Sequence, residues 1–126
     1  MKEAIKTRIY ISGGITKVKD YREKFRLKEK ELCERGFYHV INPIAIGNAL
    51  LVRSPQLKKL SESELYSHFM RADIIALLSC TQIYMMEGWM QSNGAKFEHE
   101  TALICGIDVI YENNRNRNSA NAAFWN

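Results

Sequence analysis

The hydrophobic and polar positions of this chain follow two different periods. Four short apolar runs, the first of them alternating and rich in β-branched residues, predict β-strands at 7–11, 38–41, 81–86 and 107–111. Between the runs, apolar side chains recur at helical spacing and predict three helices, over 17–35, over 61–80 and over the segment that ends at Gly106. Strands that alternate with helices through short connections indicate parallel βαβ units.

We therefore expect an α/β domain over residues 1–112, built as a doubly wound parallel sheet of four to five strands with helices on both faces. Residues 43–60 lack a clean period, and the sequence leaves open whether they form a mobile flap or a short helix over the site. Residues 113–126 are predicted to be a polar tail. Its Phe124-Trp125 end either docks onto the domain or a neighbouring subunit, or stays disordered.

Composition narrows the class of protein. The chain has 126 residues, of which 46% are hydrophobic and 25% charged, as in a soluble globular domain. No segment has the apolar length of a membrane span, and the lysine-rich start lacks the apolar core of a signal peptide. The three cysteines, Cys33, Cys80 and Cys105, are expected to be buried free thiols in a reducing compartment, so we expect a cytoplasmic protein.

The net charge of +4 is divided unevenly along the chain. Residues 1–60 hold 14 Lys/Arg and 6 Asp/Glu, a balance of +8, whereas residues 61–126 hold 4 and 8, a balance of −4. A basic half attracts phosphorylated molecules or a nucleic-acid backbone. Most of these charges, however, lie in one lysine-rich helical stretch, which is typical of a solvated face. Aromatic residues are not interleaved with them, so nucleic acid is not the expected partner.

Two carboxylates occupy positions where apolar side chains are expected. Glu98 shares the face of Ala95 and Ala102 in the last predicted helix, in its first turn as the pattern gives it. Asp73 lies among apolar neighbours of the preceding helix. A buried carboxylate costs free energy unless it is compensated, so both are candidates for chemistry. The ordinary alternatives are stabilisation of Glu98 by the helix dipole and a salt bridge between Asp73 and Arg71 or another base.

Small and polar residues lie at the ends of the predicted strands, where doubly wound sheets bind ligands. Ser12-Gly13-Gly14 and Asn42-Pro43 follow the first two strands. Ser92-Asn93-Gly94 begins the last helix, where a hydroxyl, an amide and backbone N–H groups would suit a phosphate, although such residues are more often only a helix cap. Trp89 offers either a surface on which a base stacks or ordinary loop packing.

The carboxylates and the phosphate site together favour chemistry at a glycosidic carbon. One carboxylate would attack or stabilise the anomeric centre while the other handles a proton on the leaving group. The histidines and cysteines show no metal-ligand spacing, and we expect no metal and no cofactor. Phosphoryl transfer fits less well, because the chain has no Walker-type loop.

The chain resembles the nucleoside 2-deoxyribosyltransferase-like superfamily over roughly residues 7–112. The resemblance rests on three blocks: Tyr10-Ile11-Ser12-Gly13, then Met70-Arg71-Ala72-Asp73, then Gly88-Trp89 with Ser92-Asn93-Gly94-Ala95 and Glu98. Within the superfamily, the chain resembles a phage and bacterial branch known only as a domain of unknown function. It is similar, more distantly, to the deoxynucleoside 5′-monophosphate N-glycosidases.

The resemblance implies a flavodoxin-like fold and a homodimer or higher homo-oligomer that completes the site. It also implies that Glu98 is the nucleophile that attacks C1′ of the sugar, that Asp73 contacts the sugar or assists proton transfer to the base, and that Tyr10 orients the nucleophile. Ser92 would bind a 5′-phosphate. Gly14 stands where the N-glycosidases have a further phosphate-binding serine, so backbone N–H groups would have to make that contact here.

The expected function is cleavage of the N-glycosidic bond of a (deoxy)nucleoside or its 5′-monophosphate by a hydrolase or transferase with a glutamate nucleophile. The expected partner is thus a small-molecule nucleoside or nucleotide, with no membrane involved. The alternative is a non-catalytic protein that sequesters or senses a nucleotide-derived ligand. The base, the sugar and the acceptor of the sugar are left open by the sequence.

Overall fold

The structure is a computed structural model that describes residues 7–14 and 19–112. Within these residues four β-strands form one sheet: β1 (Arg8–Ser12), β2 (His39–Ile41), β3 (Gln82–Met85) and β4 (Asp108–Tyr111). Four α-helices accompany them: α1 (Tyr21–Glu34), α2 (Pro43–Arg53), α3 (Glu62–Leu78) and α4 (Asn93–Ile104). Two short 3₁₀ helices, Pro55–Lys59 and Trp89–Gln91, lie after α2 and before α4.

The sheet is parallel throughout, with the strand order β2-β1-β3-β4. Tyr10 of the central strand β1 pairs with Ile41 on one side and with Ile83 on the other. The chain moves outward from β1 to β2 and then crosses back to β3, so the direction of winding reverses between β1 and β3. This confirms the predicted doubly wound, flavodoxin-like α/β fold. It also places the ligand crevice beyond Ser12 and Met85, the last residues of these two strands.

Alternation along β1 divides the core between the two faces of the sheet. Ile9 and Ile11 join a buried cluster that includes Phe25 and Leu32 of α1. Tyr10 points to the other face, into a buried cluster with residues of α3 and α4 such as Leu77 and Ala102. Helices therefore cover both faces, and the polar end of the Tyr10 side chain is carried to the face that α4 covers.

Residues 43–60 contain a helix, which answers the question that the sequence left open. Asn42 caps α2 by accepting the Ile44 N–H at 2.9 Å, and Pro43 occupies its first turn. The helix packs against α3. The number of α-helices in the described residues is thus four and not the predicted three.

The start of α3 is as predicted. Ser61 Oγ accepts the Glu64 N–H at 3.3 Å, and the Glu64 carboxylate accepts the Ser61 N–H at 3.2 Å, so the capping box is formed. No helix among the described residues is long and apolar enough to cross a membrane. The predicted tail at 113–126 lies outside the described residues.

The cysteines are free thiols, but the prediction that all three are buried is wrong for two of them. Only Cys80 is buried, whereas Cys33 and Cys105 are exposed. Cys33 lies in the last turn of α1, and Cys105 directly follows α4. Leu32, directly before Cys33, is fully buried, so Cys33 lies on a side of α1 that faces away from the core.

Candidate active site

A cavity of about 380 Å³ opens at the carboxyl end of β1, within the range of small-molecule sites. Most of its walls come from β1 with the following glycine, from one face of α3, and from residues 91–98 around the start of α4. Phe25 of α1 and Pro43 of α2 complete them. Seven of the predicted site residues line it together: Tyr10, Gly13, Asp73, Ser92, Asn93, Gly94 and Glu98. The cavity therefore lies in the crevice that the strand order defines.

Glu98 is held from the sheet by two hydroxyl groups. The Tyr10 O–H donates to Glu98 Oε2 at 2.6 Å, and the Ser12 O–H donates to Glu98 Oε1 at 2.7 Å. Tyr10 and Ser12 are two positions apart on β1, so both side chains leave the same face of the strand. The carboxylate is only 5% exposed, and each of its oxygens is fixed by one donor. It is thus oriented with lone pairs left for the cavity that it lines.

Glu98 is placed differently along its helix from the prediction. Helix α4 begins at Asn93, so Glu98 is its sixth residue and lies in the second turn instead of the first. Stabilisation by the helix dipole is confined to the first turn and falls off beyond it. The two hydroxyl donors are what compensate this buried carboxylate.

Burial and hydrogen bonding act on Glu98 in opposite directions. Burial raises the pKa of Glu98 to about 7, while the hydrogen bonds from Tyr10 and Ser12 act to lower it. Burial, followed by the charge of Glu98, raises the pKa of Tyr10 well above its usual value. Tyr10 therefore keeps its proton and remains a donor, and its hydrogen bond favours the ionised form of Glu98.

Asp73 faces the same cavity without any such support. It is 8% exposed and forms no hydrogen bond or ion pair with the residues that the structure describes, so the predicted alternative of a salt bridge to Arg71 is not formed. Burial and then the charge of Glu98 raise the pKa of Asp73 to about 7. Since only Glu98 has hydroxyl donors to stabilise its charge, the arrangement favours the ionised form at Glu98 and the protonated form at Asp73.

The cavity face of α3 contains residues that the sequence interpretation did not assign to the site. Tyr66, Phe69 and Met70 line the cavity together with Asp73. They precede Asp73 by seven, four and three residues respectively, which places all four on one helix face. Burial, followed by the charges of Glu98 and Asp73, raises the pKa of Tyr66. The signal that could have identified these three residues is their helical spacing from Asp73.

The N-terminus of α4 lies at the edge of the cavity. Ser92 is its N-cap and accepts the Ala95 N–H at 3.2 Å. The N–H groups of Asn93 and Gly94 have no acceptor inside the helix. A side chain at position 94 would bring its Cβ within 3.0 Å of the Tyr66 hydroxyl, so glycine lets α3 and α4 approach closely here. None of the described residues that line this cavity is a lysine or arginine.

Three of the predicted substrate-binding residues lie outside this cavity. Ser12 is 1% exposed and contacts Glu98 instead of the cavity. Gly14 lines a separate cavity of about 330 Å³, beside Lys28 and Glu112. Trp89 is not available for base stacking, because it is 3% exposed and packs inside the domain.

Trp89 is instead part of a buried aromatic cluster. Its ring lies 4.3 Å from that of His99, and the His99 Nε2 is 2.6 Å from the Tyr111 hydroxyl. Gly13, by contrast, does line the cavity with Gly94 and Asn93. A Cβ at Gly13 would lie 2.6 Å from Met86 Cε and 3.3 Å from Met86 Cβ, so a larger residue would force the Met86 side chain to move.

Among the described residues, the other cavities do not have two buried carboxyl groups at the carboxyl end of β1. The largest, of about 540 Å³, lies near the amino end of β1 and has Thr7, Arg35 and Gln82 among its lining residues, with no carboxylate among those described. Among residues 7–14 and 19–112, no group of three or more His, Cys, Asp or Glu side chains could hold a metal ion. The 330 Å³ cavity is lined by three glutamates, but all of them are exposed. Two buried carboxyl groups, Glu98 and Asp73, therefore distinguish the 380 Å³ cavity.

The fold and the site define a doubly wound α/β domain with two buried carboxyl groups at its switch point. Residues 7–111 match the family described as domain of unknown function (DUF4406), and the chain belongs to that family. No curated protein and no solved structure matches the chain.

Proposed function

We propose that the protein cleaves the N-glycosidic bond of a nucleoside or nucleoside 5′-monophosphate, with Glu98 as the nucleophile. The observation that carries the proposal is the contrast between two carboxyl groups on one cavity. Glu98 is held by two hydroxyl donors at 2.6 and 2.7 Å, whereas Asp73 has none among the described residues. The first arrangement suits an ionised nucleophile, and the second suits a proton donor.

In the first step Glu98 attacks C1′ of the sugar. A bond forms between a Glu98 oxygen and C1′, the C1′–N bond to the base breaks, and its electron pair goes to the base. Asp73 delivers its proton to the departing nitrogen, so a neutral base leaves. The products are a glycosyl ester of Glu98 and an ionised Asp73.

In the second step water opens the ester from the face of the sugar that the base has left, opposite Glu98. Asp73, now ionised, takes a proton from water while the water oxygen attacks C1′ and the Glu98 carboxylate leaves. This regenerates both groups. If a second base takes the place of water, the same step transfers the sugar instead of hydrolysing it. No other group is needed to balance either step.

The charge around the cavity supports this chemistry. Positive charge develops on the sugar ring as the glycosidic bond breaks. The described lining residues include two carboxyl groups and no lysine or arginine, so the wall favours that charge over the neutral ground state. Phe69 and Met70 also line the cavity and lower its polarity, which strengthens the effect.

The start of α4 is the proposed position of a 5′-phosphate. Ser92, Asn93 and Gly94 line the cavity there, with backbone N–H groups at the positive end of the helix. The resemblance to the monophosphate N-glycosidases supports the role of Ser92. Because no described lysine or arginine lines this cavity, the neutral N–H and O–H donors would bind the phosphate.

The experiment that tests the proposal is an assay for released base. The protein is incubated with a panel of nucleosides, deoxynucleosides and their 5′-monophosphates, and free base is separated by chromatography. Release of base from at least one of them supports the proposal. A ligand that raises the Tm without any free base would instead favour the alternative, a protein that only binds nucleotides.

A further inference from the structure

A second, smaller cavity adjoins the candidate active site. It measures about 110 Å³, against roughly 10–15 Å³ needed for one water, so it has room for a planar ring. The two cavities share Pro43, Phe69 and Asp73 in their walls. The catalytic Asp73 carboxyl therefore lies at the junction between them.

From this geometry we infer that the small cavity binds the nucleobase, and that Arg22 and Asn48 select a base with a carbonyl group on its outer edge. This inference rests on the proposed function. With the sugar against Glu98 in the larger cavity, the base must extend past the group that protonates its nitrogen. That group is Asp73, and the space beyond it is the small cavity.

The walls of the small cavity suit a flat heterocycle. Tyr21 and Phe69 contribute aromatic rings, and Leu51 contributes an aliphatic side chain. Aromatic side chains stack on every base, whichever base it is, because each has a flat π-face. The walls therefore account for affinity, and selection must come from polar groups.

Two polar side chains with the required chemistry line the small cavity. Arg22 carries a guanidinium that makes no ion pair with the described residues, and its Cζ lies 5.4 Å from the centre of the Tyr21 ring. Arginine can only donate hydrogen bonds, so it favours the carbonyl oxygen of guanine, hypoxanthine, thymine or uracil over the amino group of adenine or cytosine. Asn48, on α2, adds one further donor and acceptor.

Gly47 of α2 gives an independent way to test the position of the base. A Cβ built there lies 3.6 Å from the Phe69 Cε1 atom, which is ordinary contact, so alanine fits without strain. The methyl group would nevertheless occupy space in the wall of the small cavity. Alanine is also more favourable than glycine in the interior of a helix. Gly47→Ala should therefore leave the Tm unchanged or higher while it narrows the base site.

The test compares kcat/KM for base release across six deoxynucleoside 5′-monophosphates, those of adenine, guanine, hypoxanthine, cytosine, thymine and uracil. We expect Arg22→Ala to lower the preference for guanine, hypoxanthine, thymine and uracil over adenine and cytosine about tenfold. This is the effect of one hydrogen bond of ordinary strength. Gly47→Ala should reduce kcat/KM more for nucleotides with two-ring bases than for those with one-ring bases. Asn48→Ala should also change the ratio between bases. Val52→Ala, on the exposed side of the same helix, is the matched control and should change nothing.

Equal losses for all six bases, or no change in the ratios, would overturn the inference while base release by the unaltered protein would still support the proposed function. The base site can also be supported while the proposed catalysis fails. The dissociation constants of the same six nucleotides are measured by calorimetry for the unaltered protein and for Arg22→Ala. A base-dependent loss of affinity without any base release would retain the base site and reject the catalysis. Base-independent affinity would overturn the inference here as well.

Discussion

The phenol of Tyr10, on the central strand, donates a 2.6 Å hydrogen bond to the carboxylate of Glu98, 88 positions further along the chain. Both side chains are nearly inaccessible to solvent. A carboxylate in that environment would ordinarily be protonated, and the hydrogen bonds from Tyr10 and Ser12 are what oppose this. The hydrogen bond links the sheet to α4 and fixes the position of the carboxylate that we propose as the nucleophile.

Removing the Tyr10 hydroxyl should move the pH dependence of the reaction. In Tyr10→Phe the pKa of Glu98 rises, because a donor that lowers it is lost. Glu98 must be ionised to attack, so the acidic limb of the kcat/KM profile should shift to higher pH. At pH 7 we expect a loss of about 10- to 100-fold, consistent with one charge-assisted hydrogen bond of roughly 1.5–3 kcal/mol. A full pH–rate profile measures both effects.

Ser12→Ala is the matched comparison, since it removes the other donor, to Glu98 Oε1 at 2.7 Å. It should shift the same limb in the same direction. If the two variants lose activity without any change in the shape of the profile, the hydroxyls do not act on the ionisation of Glu98.

Asp73→Asn tests the proton donor. We expect base release to fall by about 10²–10⁴-fold, the usual contribution of a general acid. The alkaline limb of the pH profile, which reports loss of the Asp73 proton, should disappear. A deoxyriboside with a nitrophenolate leaving group needs no proton, so the variant should cleave it at close to the normal rate of bond breaking in a single turnover. An equal loss on both substrates would contradict the assignment.

Ser92→Ala separates the phosphate role of this serine from its role as a cap. Removal of the N-cap should cost about 1 kcal/mol of unfolding free energy. If Ser92 also binds the 5′-phosphate, the variant should lose most of its preference for a monophosphate over the corresponding nucleoside. The measurement is the ratio of kcat/KM for the two substrates.

Ser61→Ala is its control. Ser61 caps α3 by accepting the Glu64 N–H at 3.3 Å, much as Ser92 accepts the Ala95 N–H at 3.2 Å, but it does not line the cavity. It should therefore lose similar stability and keep the phosphate preference. If both variants alter that preference equally, the effect of Ser92 is structural.

The carboxyl pair also makes a prediction for stability. In the unfolded chain Asp73 and Glu98 ionise near 3.8 and 4.5, whereas in the folded protein burial raises both pKa values to about 7. Between these values the unfolded state binds fewer protons, so the free energy of unfolding should fall as the pH rises from about 4 to about 7 and then level off. At about 1.4 kcal/mol per pKa unit, each of the two groups contributes about 4 kcal/mol over this range.

Urea unfolding at pH 5.0, 6.0 and 7.5 measures this slope. Asp73→Asn should remove a large part of it, because its amide does not ionise. Carboxylates whose pKa is lowered in the folded protein, such as Glu112, also stabilise it. They lose this stabilisation only below pH 4.5, the ordinary pKa of a glutamate, so they do not affect the slope between pH 5 and 7.5. His99 acts in the opposite direction within this window, because burial lowers its pKa. The decisive comparison is therefore between the two proteins: an equal slope for Asp73→Asn and the unaltered protein would contradict a raised pKa for Asp73.

Much of the fold could be predicted from the sequence because its strands are short, apolar and separated by capped helices. Glu98 could be singled out because it interrupts an apolar helix face. Its partners were harder to derive, since Tyr10 and Ser12 reach it only through the pairing of distant elements, and only the family resemblance suggested Tyr10. That resemblance gave no role to the Ser12 hydroxyl.

Three features escaped the sequence for physical reasons. Helix α2 is apolar on several sides and has Gly47 in its interior, so it shows no amphipathic period. Trp89 follows a strand in a loop, and the sequence does not tell whether such a ring turns outward or inward. The spacing of Tyr66 from Asp73 shows only that the two share a helix face. The approach of the Tyr66 hydroxyl to the start of α4 depends on how the two helices pack, which spacing does not encode.

The most direct test of the central claim is the substitution Glu98→Gln. Glutamine has nearly the same shape but cannot form the glycosyl ester, so base release should fall by about a thousandfold or more. The dissociation constant for the best nucleotide, measured by calorimetry, should change by less than about tenfold, or 1.4 kcal/mol. Loss of base release with binding retained is the predicted result. Turnover at a rate near that of the unaltered protein would show that Glu98 is not the nucleophile.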